Sequence, residues 1–163
     1  MSVLDWLERE LKRLESGLLA LLLSALIGLA FLQVALRQIL GSGWVWADPL
    51  CRELVLWTGF LGAALAAAEG KHFAWEGPAP ANPRLAAALR LIGQMCAAAI
   101  CLALLKASAR FWLEERTAGR PLELGLVALP AGAASAIIPL GFGLILAHFC
   151  IGAIRSAKAW WRP

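Results

Sequence analysis

The sequence has no tyrosine and little charge: Asp, Glu, Lys and Arg make up 16% of its 163 residues, against 61% hydrophobic. A soluble domain is typically about 25% charged, so the polar side chains here are too few to cover a globule in water. That shortage excludes a soluble enzyme, a disordered tail and a disulfide scaffold. It leaves a chain solvated by lipid. Cysteine is also scarce. Cys51, Cys96, Cys101 and Cys150 form no CxxC pair, and all but Cys51 fall well inside apolar runs. They read as small hydrophobes and not as metal ligands.

Positive charge is not concentrated either. The net charge of +4 is spread in small groups beside apolar runs. Such groups set membrane topology and touch anionic headgroups, and no nucleic-acid partner is expected. No HExxH, GxSxG or glycine-rich phosphate loop occurs. His72 and His148 are too separate to suggest paired haem ligation, and Ser24, Ser108 and Ser135 lack a sequence-local base. The sequence therefore offers no catalytic residue, no metal site and no cofactor site.

What it does contain is four long apolar runs. Residues 16–36 carry no formal charge, and about 20 helical residues cross the hydrocarbon core. Ahead of them Leu4, Leu7, Leu11 and Leu14 recur at helical spacing, with Glu8, Arg9, Lys12 and Arg13 on other faces. That pattern predicts an amphipathic interfacial helix over about 2–15, followed by a retained span over about 16–39 and not a cleaved signal peptide. GSGWVWADP, residues 41–49, reads as a turn at headgroup depth. A second span follows over about 50–69, then a Pro/Gly-rich loop at 70–84, then a third span over about 85–106. The polar stretch after it is expected to prolong that helix to near Gly119 and Pro121. The last run, 124–154, is too long for one straight crossing. Pro130 is expected to start its helix, giving a span over about 130–154, and Pro139 to kink the interior.

The fold class is thus all-α: an integral membrane four-helix protein in a single membrane domain. Trp44, Trp46, Trp75, Trp112, Trp160 and Trp161 near the run ends mark an aromatic belt. Four spans put both termini on one side. Nine Lys/Arg on that side against six on the other favour cytoplasmic termini.

Ionisable groups are almost absent from the span centres, where carriers usually need them. The polar residues gather at the edges. Gln33 and Arg37 share a helix face, and Arg37, Asp48, Arg52 and Glu53 can form an external cluster. Glu69, Lys71, His72 and Glu76 form a comparable internal set. Each set reads first as anchoring and second as a partner contact. Small residues recur every fourth position in the second span, as Gly59, Ala63, Ala67 and as Gly62, Ala66, Gly70. That spacing lets helix backbones approach closely in a bilayer, within the chain or against a partner.

The run from Gln33 to Glu76 resembles the small permease subunit of TRAP (tripartite ATP-independent periplasmic) transporters, the DctQ-like family. That family reads Q-V-x-x-R, W-x-E-E, W-x-x-F-L-G-A and G-x-H-I-x-V-D. The matching positions are Gln33, Val34 and Arg37; Trp46; Trp57, Phe60, Leu61, Gly62 and Ala63; and Gly70 and His72. Pro130, Pro139 and Gly141 match the family's final helix. The acidic pair after Trp46 is Asp48 and Pro49 here, and the Val-Asp ending is Trp75 and Glu76.

The resemblance implies a supporting subunit of a sodium-coupled uptake system for organic acids in the bacterial inner membrane. It implies as partners a large permease subunit that carries the solute, a periplasmic substrate-binding protein and membrane lipids. Two alternatives remain at this level. One is a homo-oligomeric small channel or carrier. The other is a membrane anchor of a redox enzyme with His72 and His148 on haem.

Overall fold

The computed structural model describes residues 3–69, 83–119, 122–124, 127–130 and 132–161. Gly70, His72 and Glu76, with the rest of the internal set beyond Glu69, lie outside the described residues. Among the described residues, four helices are long and apolar enough to cross a membrane.

The first, α1, runs unbroken from Val3 to Leu40. The stretch expected as a separate interfacial helix and the first apolar run therefore share one helix. It stops at Gly41, whose φ of +66° suits the left-handed position after a helix end. Helix α2 spans Ala47–Ala68. Asp48 and Pro49 occupy its first turn, where an acid meets the positive helix end and a missing N–H costs nothing. Helix α3 spans Pro83–Ala118, opening on proline and closing at Gly119 with φ +65°. The charged stretch after Lys106 is thus helical, as its pattern predicts.

The region between α3 and α4 differs from expectation. Leu122–Leu124 (β1) and Val127–Leu129 (β2) pair as an antiparallel hairpin, with Leu122 opposite Leu129. Pro130 is not a helix start. It is followed by turns, with Gly132 at φ +78°, and α4 covers Ile137–Trp161 instead. Pro139 consequently lies in the first turn of α4, so it makes no interior kink. The apolar run was too uniform to separate a short hairpin from a helix by periodicity.

Helix α4 packs against both α2 and α3, while α1 packs mainly on α2. The spatial order is α1, α2, α4, α3. The centre is an apolar cluster of Ala64 and Ala67 from α2, Ala97 and Cys101 from α3, and Ile145 and Phe149 from α4. Three helices meet there on alanine and cysteine because small side chains bring backbones within van der Waals reach, which drives helix association where lipid removes the hydrophobic incentive. Outside the cluster the bundle exposes large apolar residues, among them Leu21, Ile27, Phe31, Ile92 and Met95. An apolar outer surface over helices that satisfy their own backbone groups is the arrangement lipid requires.

Candidate assembly site

The outer polar set is built on the end of α1 and the turn into α2. Gln33 is buried in spite of lying on the first span. Its Nε2 donates to the Trp44 carbonyl at 2.8 Å, and its Oε1 accepts from the Trp44 N–H at 3.0 Å. One side-chain amide thus satisfies both backbone groups of a turn residue, as a strand partner would. Nε2 also reaches Asp48 Oδ1 at 3.4 Å, and Arg37 Nη2 sits 2.6 Å from Asp48 Oδ2. Gly43 makes this approach possible. A Cβ there would lie 2.8 Å from Gln33 Nε2 and 2.9 Å from Arg37 Nε. Trp46, at the N-cap of α2, stacks on Trp44 with ring centroids 5.1 Å apart.

Gln33, Arg37, Trp46 and Asp48 are therefore gathered in one place. Arg52 is exposed, and Glu53 is half-buried. Glu53 lies within electrostatic reach of Glu115 on α3 as well as Arg52. Its Oε2 is buried without a hydrogen-bond partner among the described residues. The external cluster thus splits: one half ties α1 to the turn, and Glu53 looks toward α3.

The small residues divide in the same way. Ala64 and Ala67 are buried against α3 and α4, while Ala63 and Ala66 are half-buried. Cβ atoms built on Gly59 and Gly62 would meet nothing within 4 Å. Among the described helical glycines, those that make close contacts within the chain are on α4. A Cβ on Gly141 would fall 2.7 Å from Phe60 Cγ and 2.8 Å from Phe60 Cβ, and would overlap Cδ1. Phe60 in turn meets Phe142 edge-on at 5.2 Å. A Cβ on Gly152 would lie 2.5 Å from Gln94 Nε2, and Ser156 Oγ donates to Gln94 Oε1 at 2.9 Å. Helix α3 is also pinned at its far end. Trp112 Nε1 donates to the Gly132 carbonyl at 2.8 Å, and Arg116 lies 5.4 Å from the Trp112 ring centroid.

Sequence reasoning missed one pair entirely. His148 Nε2 contacts both oxygens of Glu15, at 2.9 and 3.0 Å, and both side chains are almost wholly buried, at 1% and 3% exposure. Near it, Glu8 holds Lys12 at 2.8 Å. Arg155 Nη2 lies 2.5 Å from Glu8 Oε2, an ion pair by distance although its angle makes no hydrogen bond. The Nε2 that a haem iron would need thus faces a carboxylate. No group of three or more His, Cys, Asp or Glu that could hold a metal occurs among the described residues.

Between α1, α2 and α4 an apolar groove of 370 Å³ opens sideways, lined by Leu18, Trp57, Leu61, Ile137, Leu140 and Leu144 among others. Nothing in it could hold a charged solute. The geometry is that of a packed helical body with open small-residue and apolar faces. The sequence profile described as tripartite ATP-independent periplasmic transporters, DctQ component, matches residues 26–159. Comparison with curated proteins finds no match.

Proposed function

The chain belongs to the DctQ component family of tripartite ATP-independent periplasmic transporters, and from that premise we propose that it is the small membrane subunit of a sodium-coupled uptake system for organic acids. In this reading it braces a large permease subunit and moves no solute itself. A periplasmic substrate-binding protein completes the system. Nine Lys/Arg against six support cytoplasmic termini, and the family supports a bacterial inner membrane.

The observation that carries the reading is the interior. Where α2, α3 and α4 meet, alanine, cysteine, isoleucine and phenylalanine fill the space, and the buried Glu15 and His148 between α1 and α4 are taken up by each other. A carrier needs polar groups at that depth. The open face at Gly59 and Gly62 suits a second protein, because those glycines take up no contact of their own.

Reconstitution tests the proposal. Liposomes holding this chain together with the large subunit and the binding protein take up organic acid when an inward sodium gradient drives it. Liposomes holding the chain alone do not. Uptake by the isolated chain would refute the bracing role, and failure to co-purify with a large permease would refute the partnership.

A further inference from the structure

The polar contacts between α1 and α4 form a ladder, with Glu8, Glu15 and His148 buried and Arg155 46% exposed. Glu8 and Glu15 stand one heptad apart on α1, and His148 and Arg155 stand one heptad apart on α4. The helices run antiparallel, so Glu8 meets Arg155 and Glu15 meets His148 in a single register. The upper rung lies at lipid depth: on the outward side of α1, Leu14 is 71% and Leu21 66% exposed. Ionisable residues at such a depth are kept for a purpose, and their partner is the first clue to it.

We propose that Glu15 and His148, supported by Glu8 and Arg155, are a register lock. They fix how far along α4 the first helix sits, and with that the apolar face α1 turns outward.

Three observations carry this. Direct packing of α1 on α4 is sparse, since α1 packs mainly on α2, so these rungs are the specific contacts between the two helices. A slip of one heptad in either direction keeps only one rung. It pairs Glu15 with Arg155 and strands the buried His148, or pairs Glu8 with His148 and strands the buried Glu15, and a buried group left without its partner is what lipid and protein interior both resist. Finally, buried ion pairs contribute little net stability compared with apolar replacements, and setting register is their best-attested use. The positions of Glu8 and Glu15 satisfy that role as a heptad seam does.

Spin labels test it in the full-length chain, with the four native cysteines replaced and Leu14→Cys and Ile154→Cys introduced at exposed positions. The parent gives one narrow distance in lipid nanodiscs. Glu15→Met with His148→Leu leaves the melting temperature unchanged or raised yet broadens or splits the distance distribution. A heptad slip moves the labels by roughly 10 Å along the axis, which the method resolves. The exchange Glu15→His with His148→Glu returns the single distance. A narrow, unshifted distance in the Met/Leu variant overturns the lock. If that variant does not fold, the exchange variant decides: the parent distance supports the lock, and a shifted or broadened one overturns it. The readout needs no other subunit, so it stands or falls apart from the transporter assignment.

Discussion

Gly141→Ala is the sharpest probe of how the bundle is packed. The new Cβ would stand 2.8 Å from Phe60 Cβ, about 0.7–1.2 Å short of the 3.5–4.0 Å at which carbon atoms attract. Phe60 Cβ cannot swing away, because it moves only with the α2 backbone. The two helices must part, or the ring must leave its rotamer. Overpacking of this kind costs about 1–3 kcal/mol. Losing the Phe60–Phe142 edge contact adds about 0.5–1.5 kcal/mol. Alanine returns about 0.5–1 kcal/mol through its better helix propensity. The net expectation is a loss of about 1–3 kcal/mol. Denaturant titration of the detergent-solubilised chain measures it, with Gly59→Ala as the control that meets nothing within 4 Å. Gly59→Ala should be neutral or slightly stabilising. Phe60→Ala combined with Gly141→Ala should cost at least about 0.5 kcal/mol less than the sum of the two. If Gly141→Ala is as stable as Gly59→Ala, the α2–α4 contact described here is wrong.

Further outcomes follow from the same geometry. Gln33→Leu strands the Trp44 N–H, while the Trp44 carbonyl keeps the Ala47 N–H at 3.2 Å, and should cost about 1–3 kcal/mol. Arg37→Ala removes a pair with both side chains 56% exposed and should cost no more than about 1 kcal/mol; equal losses on denaturant titration would contradict the staple. Trp112→Phe removes the bond to Gly132, a loss of about 0.5–1.5 kcal/mol visible as faster amide exchange in residues 132–138. Gly59→Leu and Gly62→Leu should leave the isolated chain folded yet lower its co-purification with a large permease; undiminished yield would move the partner contact elsewhere.

The helices were legible because apolar run length and punctuation agree: Gly41, Pro83 and Gly119 stand at real ends. The start of α4 was not. Pro130 carries a helix-start signal, but the residues before it pair across a hairpin, and uniform hydrophobicity hides the difference. At the outer cluster, spacing alone put Gln33 and Arg37 on one face. It could not reveal that Gln33 serves the Trp44 backbone or that Glu53 turns to α3, because those are matters of loop path. The Gly59 and Gly62 repeats are indistinguishable in sequence from contact-making ones. Which glycine is crowded depends on the facing side chain, and Phe60 faces Gly141. Glu15 and His148 are far apart in sequence, and the only local signal was the matching heptad interval on two helices.

The lengths of the helices bear on membrane thickness. At 1.5 Å per residue, α2 is about 33 Å long, close to the roughly 30 Å hydrocarbon core. Helix α3, with 36 residues, is about 54 Å long. To hide that length by leaning it would have to incline by about 56°, beyond the usual 0–40°. Its charged end past Lys106 must instead stand clear of the bilayer as a post. A thicker or thinner membrane then only shifts the waterline along that post, while α2, which has no such overhang, registers the mismatch.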